Sequence, residues 1–180
     1  MLKLTVKGRE LFDESTESFI TVKDTVLKLE HSLLSLSKWE SKWHKPFLDD
    51  KQKTAEEYLD YIQCMCIGQD IDANVLYCLT DSDMKKIIKY IDDPMTATTI
   101  DDKRNSKRGS RIVTSELIYC WMVTLQIPFE CEKWHLNRLL TLIRVCNIEN
   151  SPKKRMKGKD ILKQNSNINH QRRQMLNSMG

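Results

Sequence analysis

The stretch "FITVKDTVLKLEHSLLSLSKWESKWHKPF", residues 19–47, changes its hydrophobic period partway along. Up to Leu29 the apolar residues recur as in a half-buried strand, and after Ser32 they recur at helical spacing. The helical positions are Leu33, Leu36, Trp39 (or Glu40) and Trp43. The sequence therefore predicts a strand that leads into an amphipathic helix, with the helix available to cover the apolar face of the strand.

The chain before this stretch predicts the partner strand. Residues 2–7, "LKLTVK", alternate apolar and polar side chains, which is the period of a strand with one buried face. The segment "RELFDESTES" is rich in turn-forming polar residues. We therefore expect a β-hairpin over residues 1–30 whose second arm runs through Leu29, with a bulge or break at Asp24.

The first helix is predicted to begin near Ser32 and to end before Pro46. Trp39 and Trp43 lie one turn apart on it, so both rings share a face, and Lys38 and Lys42 lie on the flank of that face. Two aromatics that continue a leucine stripe favour a core role. The alternatives are a partner-binding edge of the stripe and, third, catalysis.

Further helices follow from capping signals. Thr54 and Glu57 form a capping box ahead of a stripe at Tyr58, Leu59, Ile62 and Met65 or Cys66, and Gly68 ends that helix. Two short helices are predicted to start at Asp72 and at Thr80 or Asp81, the second ending at Pro94. Residues 96–111 are polar, and we expect a mobile loop there.

The second half predicts two helices and a corner. One begins at Thr114 or Ser115 and runs to about Gln126, and Pro128 breaks it. The other begins at Glu130 or Cys131 and includes "CEKWHLNRLLTLIRVCN", with Trp134 and the leucine stripe facing inward. The simplest arrangement of the two is an αα-hairpin.

Charge separates the end of the chain from the rest. Residues 151–180 contain eight Lys and Arg residues and one acidic residue, so with a total net charge of +4 the preceding residues are mildly acidic. We therefore predict an α+β protein, with a small N-terminal β-hairpin or sheet packed on a mainly α-helical domain. A single globular domain spans 1–150 (hairpin 1–30, helical part 31–150), and a flexible basic arm spans 151–180.

Motifs for chemistry are scarce. The five glycines form no phosphate-binding loop, the cysteines form no CxxC pair, and no histidine has zinc-finger spacing. Cys131 and His135 are i and i+4 if they lie on one helix, but helix faces rarely supply an oxyanion pocket. We expect no enzyme activity, no cofactor and no metal. We also expect no secretory signal and no membrane span, which places the chain in the cytoplasm.

A basic arm attracts nucleic acid phosphate without sequence preference, and it attracts acidic protein surfaces equally well. The acidic character of the rest of the chain and the lack of a basic recognition helix make nucleic acid the less favoured partner. A nucleic-acid-binding role stays open as the third class of function.

Several long phrases resemble one group of phage and prophage proteins. They are "SLLSLSKWESKWHKPFL", "YIDDPMTATTI", "IVTSELIYCWMVTLQIPFECEKWHLNRLLTLIRVCN" and "NINHQRRQMLN". Together they resemble tail assembly chaperone-like proteins of long-tailed, non-contractile (siphovirus-type) bacteriophages, over nearly the whole chain. The resemblance implies a non-catalytic protein, in the host cytoplasm, that binds the tape-measure protein during tail assembly. The major tail protein, a longer frameshifted form of the chain and a second copy of the chain are further candidate partners.

The candidate contact residues follow from the aromatic stripe, the last predicted helix and the basic arm. We hypothesise a groove rim formed by Trp39, Trp43 and residues 132–147. The full set is Trp39, Trp43, Lys38, Lys42, Trp134, Arg138, Lys153, Lys154, Arg155, Arg172 and Arg173. The competing class of function is a virion structural protein, such as a tail connector or completion subunit.

Overall fold

The computed structural model describes residues 1–13, 17–49, 51–100, 112–151 and 158–176. It has the predicted α+β composition, with a small antiparallel β region followed by helices. The strands are β1 Leu2–Val6, β2 Glu10–Asp13, β3 Ser18–Thr21 and β4 Thr25–Leu29. The helices are α1 Leu33–Trp43, α2 Ala55–Met65, α3 Ala73–Leu76, α4 Asp81–Asp92, α5 Ser115–Thr124, a 3-10 helix Phe129–Lys133, α6 Leu136–Asn150 and α7 Gly158–Leu176.

The N-terminal hairpin lies within the predicted bounds, 1–30, and consists of two halves, because its strand pairing extends further toward the turn than predicted. In the inner ribbon β1 pairs with β4, from Leu2 opposite Leu29 to Val6 opposite Thr25. In the outer ribbon β2 pairs with β3, from Glu10 opposite Thr21 to Asp13 opposite Ser18. The segment "RELFDESTES" was therefore wrongly predicted as a turn throughout, because its "ELFD" pairs as a strand.

The break between the two ribbons is held by Asp24, as its position in the sequence indicated. Its carboxylate accepts from the Gly8 backbone N–H at 2.8 Å and pairs with Lys7 Nζ at 2.6 Å. Gly8 is required by close approach, since a Cβ there would lie 2.0 Å from the Val22 carbonyl oxygen. Both hydrogen bonds lower the pKa of the Asp24 carboxyl, and the bond from the Lys7 side chain is the larger cause.

The helices cover one face of the inner ribbon. Leu4, Val6, Leu27 and Leu29 are buried together with Leu33 and Leu36 of α1, while β1 contacts α4 and β4 contacts α2. The capping box predicted at Thr54 is confirmed, and Ser32 and Thr80 form capping boxes as well. On α2 the predicted buried stripe was wrong at Tyr58, which is exposed. Tyr61, one turn later, is buried instead.

The start of α5 is capped by a residue far away in sequence. Thr114 is the N-cap residue, but its side chain makes no capping hydrogen bond. The buried carboxylate of Glu40, on α1, accepts instead from the backbone N–H of Ser115 at 2.7 Å and from that of Phe47 at 2.9 Å. A long-range carboxylate thus replaces the local cap that the sequence predicted.

The last helix of the domain begins later than predicted. Residues 129–133 form a 3-10 helix, Trp134 is extended, and α6 begins at Leu136. The reason is a bridge between His135 and Ser32, in which Leu136 N–H also donates to the His31 carbonyl at 2.8 Å. The predicted close pairing of two helices in an αα-hairpin is also corrected, because α5 packs against α1.

The chain divides into two compact units, Met1–Ile148 and Glu149–Gly180. The second unit contains α7, a helix of 19 residues, within the segment predicted as a flexible basic arm. The flexibility of the arm in the free protein stays a prediction. The residues expected to form a mobile loop lie mostly outside the described residues, since 101–111 are among those not described.

Candidate interaction surfaces

Trp39 is a core residue. Its side chain is 1% exposed, its indole N–H donates to the Glu57 carbonyl at 2.9 Å, and its ring meets that of Phe47 edge-on at 5.0 Å. The core interpretation of the stripe therefore holds at this position. A partner-binding role for Trp39 is corrected, because a ring covered on all sides cannot form part of a groove rim.

Trp43 continues the stripe at its half-buried edge. Its ring stacks on Trp39 at a centroid distance of 6.0 Å, and its indole N–H donates to Asp60 on α2 at 2.8 Å. Lys42 pairs with the same carboxylate, and this hydrogen bond raises the lysine pKa. Lys45 lies 5.4 Å from the Trp43 ring centroid.

These contacts make Trp43 and Lys42 a bridge between α1 and α2, with one side still open to solvent. Lys38 is exposed on the same helix. Of the predicted residues on α1, three thus remain accessible at least in part: Lys38, Lys42 and Trp43.

Trp134 and Arg138 form a separate surface. The Arg138 guanidinium lies over the Trp134 ring, with its carbon 4.3 Å from the ring centroid. Trp134 is half-buried and Arg138 is exposed. A cation over an aromatic face is a modest stabilising contact at an exposed site. Trp134 and Arg138 therefore already bind each other within the chain, and their exposed sides remain candidates for contact with a partner.

A buried polar cluster joins the starts of α1 and α6. His31 Nδ1 lies 2.6 Å from the Tyr61 hydroxyl, and the His31 ring meets the His135 ring at 5.0 Å. Burial lowers the pKa of His31 to about 3, with His135 as a second cause, and burial also lowers the pKa of His135. Both imidazoles are therefore neutral at pH 7.

The orientation of His135 bears on the Cys131–His135 arrangement considered from sequence. His135 precedes α6 and Cys131 lies in the 3-10 helix, so they are not i and i+4 on one helix as that arrangement required. His135 Nε2 contacts the Tyr90 carbonyl at 2.9 Å, and its Nδ1 is buried without a hydrogen-bond partner. The ring acts as a packed core group.

The outer ribbon is a surface that the sequence reasoning missed. Phe12 and Phe19 are directly opposite in the register, with ring centroids 5.2 Å apart, and they are 55% and 71% exposed. Glu10 shares their face, because alternate residues of a strand point the same way. Leu11 and Ile20 on the opposite face are half-buried. The signal was present as "LF" and "FI" on either side of the polar turn.

The surroundings of this aromatic pair are acidic. Residues 10–21 contain the carboxylates Glu10, Asp13, Glu14 and Glu17 and no lysine or arginine. The other face of the outer ribbon borders a cleft of about 460 Å³ that reaches Asn74 and the exposed Tyr77 of the α3 region. Arg9 anchors the ribbon there by donating to the Tyr77 carbonyl.

Helix α7 presents apolar and basic side chains together. Leu162, Ile168, Met175 and Leu176 are exposed, Met175 at 87%. At 100° per residue these four lie within an arc of about 140°. Asn165, Asn169 and Arg172 lie in the same arc, and Arg173 lies beside it. Of the predicted basic residues, Arg172 and Arg173 are exposed on α7, whereas Lys153, Lys154 and Arg155 lie outside the described residues.

Within the described part of the chain, no three His, Cys, Asp or Glu side chains are grouped to hold a metal ion. No helix in that part is long and apolar enough to cross a membrane.

Comparison with known proteins gives no relative: no protein-family model, no curated protein and no solved structure matches the chain.

Proposed function

We propose that this chain is a non-catalytic binding protein of phage tail assembly, a chaperone that holds the tape-measure protein until tail-tube subunits enclose it. The resemblance of four long phrases to tail assembly chaperone-like proteins supports this proposal. The single structural observation that carries it is the exposure of large apolar side chains on two elements, the outer ribbon and α7.

Exposed apolar groups of this kind suit a helical client. A single soluble chain normally covers contiguous apolar surface, and uncovered patches mark contact sites. A client rich in amphipathic helices offers apolar stripes at helical spacing, which aromatic anchors such as Phe12 and Phe19 can bind. Contacts that are individually weak allow the client to leave as the tube closes.

The test is co-expression with a tape-measure protein of a long-tailed phage, taken from the same genome as this chain where one is encoded, followed by affinity capture and size-exclusion chromatography. The proposal expects more soluble tape-measure protein and co-elution of the two chains. The double variant Phe12→Ser/Phe19→Ser should reduce co-elution, while Phe129→Ser, which removes an exposed phenylalanine on the 3-10 helix, should not.

Two other results would contradict the chaperone proposal and would each favour a different function. If the chain neither binds nor solubilises the tape-measure protein but mass spectrometry detects it in purified particles, it is a virion structural protein. Salt-sensitive binding to DNA or RNA that is lost on deleting residues 152–180 would instead favour the nucleic-acid-binding alternative.

A further inference from the structure

We propose that the outer ribbon of one molecule binds helix α7 of a second molecule of the same chain. The inference does not depend on the tape-measure protein, because it concerns self-association of the chain alone. It rests on two surfaces of the same polypeptide. Both expose apolar groups, and the outer ribbon is acidic whereas the C-terminal half of α7 is basic.

The ribbon supplies an aromatic, acidic face. Phe12 and Phe19 form a tilted pair at 5.2 Å, with exposed Glu10 on their face and exposed Glu17 at the turn. The opposite face of the ribbon packs against the core through Leu11, whereas Phe12 and Phe19 are 55% and 71% exposed. Its aromatic rings therefore gain most from being covered, and the carboxylates around them favour a basic partner over an acidic one.

Helix α7 supplies the matching chemistry. Its exposed Met175 and Leu176 follow the exposed Arg172 and Arg173 closely in sequence, with Gln174 between the two pairs. Thioether and aliphatic side chains pack well on aromatic rings, and a guanidinium binds both carboxylates and ring faces. The Asn and Ser residues of α7 have low helix propensity, so binding would also stabilise α7.

The dimensions restrict the contact to part of the helix. Four paired residues of β2 and β3 extend about 13 Å, whereas the 19 residues of α7 extend about 28 Å. One ribbon can thus cover about half of α7. The C-terminal half is the one that carries both arginines, Met175 and Leu176, so it is the half that we assign to the contact.

Other occupants of α7 fit less well. Two α7 helices would oppose Arg172 and Arg173 to one another, which repels. An anionic membrane would take the four apolar side chains but would also bury Asn165 and Asn169, which lie in the same arc and would have no hydrogen-bond partners in lipid. A ribbon on the C-terminal half of α7 offers backbone and carboxylate groups to Asn169 and leaves Asn165 in water.

The contact is heterologous, because each molecule uses a different surface from its partner. Each molecule then has one free ribbon and one free α7, so assembly continues into rings or chains. Sedimentation velocity of the full chain should show a size that grows with concentration and falls as salt screens the charges.

Complementation between variants gives the decisive test. Phe12→Ser/Phe19→Ser removes the ribbon surface, and Arg172→Glu/Arg173→Glu removes the α7 surface. Each variant alone should associate about tenfold or more weakly than the parent chain. Mixed together they should form a 1:1 heterodimer and stop there, because one supplies an intact α7 and the other an intact ribbon.

Two controls keep the result unambiguous. Lys85→Glu/Lys89→Glu makes the same charge change on exposed lysines of α4 and should leave association unchanged. Glu10→Lys/Glu17→Lys keeps both phenylalanines, so it tests the ribbon if the serine variants unfold it, and it should weaken association equally. A parent chain that is monomeric at every concentration, or variants that fail to pair when mixed, would overturn the proposal.

Discussion

The inner and outer ribbons of the N-terminal hairpin are paired in the same way and differ in almost everything else. Both are antiparallel ladders in one continuous hairpin. Leu27 and Leu29 of the inner ribbon are buried on a strand that contacts α2, whereas Phe12 and Phe19 of the outer ribbon face solvent. Backbone pairing therefore does not decide which half is structural. Packing of the side chains decides it, and the face of the outer ribbon that carries Phe12 and Phe19 is free for contact.

The largest expected effect comes from comparing a buried and an exposed side chain on β4 of the inner ribbon. Leu27→Ala should lower the free energy of unfolding by about 2–5 kcal/mol, because it leaves a cavity in the core. Val26→Ala on the same strand, where the side chain is 49% exposed, should cost about 0.5 kcal/mol. Urea denaturation followed by tryptophan fluorescence measures both. Equal effects would mean that the inner ribbon is not the packed half.

The next test breaks the link between the ribbons. Gly8→Ala places a Cβ 2.0 Å from the Val22 carbonyl oxygen, so the two arms must move apart, at a cost of about 1–3 kcal/mol. Amide hydrogen exchange should show the loss first at the outer ribbon. Gly68→Asn is the comparison, because that glycine has a positive φ of 71° but open space around its Cβ position, and asparagine tolerates such a backbone.

Acid should lower the free energy of unfolding through His31, the residue that follows the inner ribbon after β4. Its folded pKa of about 3 lies below the unfolded value of 6.5, so the unfolded chain binds more protons between these values. The stability is therefore complete above about pH 6.5 and is lost as the pH falls toward 3.

At pH 5 the loss from His31 alone should be about 2 kcal/mol. Thermal unfolding at pH 7.5 and pH 5 measures it, and His31→Gln should flatten the dependence. His44→Gln, which changes an exposed histidine, should not. An unchanged slope in His31→Gln would show that the acid sensitivity arises elsewhere.

The smallest expected effect is in the outer ribbon itself. Phe19→Ala removes a cross-strand pair and should lower global stability by less than about 1 kcal/mol, while hydrogen exchange of the β2 and β3 amides becomes faster. A loss as large as that of Leu27→Ala would mean that Phe19 packs against the body of the protein and is not an open contact surface.

Sequence was sufficient where the signal is local. The capping box at Thr54 and the bounds of the first helix, which starts after Ser32, were predicted from neighbouring residues alone, and Thr80 is the N-cap of the two candidates Thr80 and Asp81. The core position of Trp39 also followed from helical spacing. These features depend on contacts within one or two turns, so a short window contains the necessary information.

Sequence was insufficient where a distant contact decides. The start of α6 was placed too early because nothing near Trp134 indicates a bridge to Ser32. Phe12 was placed in an apparent turn because the polar residues around it are typical of a loop, so its pairing with Phe19 was missed. The candidate residues on α1 were predicted in part. Trp39 and Trp43 share one helix face in the sequence, and only the contacts with α2 make Trp39 buried and Trp43 half-buried.

The bond between Glu40 and Ser115 has a consequence for the order of folding. The acceptor that starts α5 lies 75 residues earlier in the chain, so α5 cannot be capped until α1 is formed and the intervening chain has closed the loop. We expect α5 to form after the transition state, and Glu40→Gln should accordingly speed unfolding while leaving the folding rate nearly unchanged. A slower folding rate would instead place this closure in the nucleus. The timing of a whole helix would then depend on one carboxylate in a distant part of the chain.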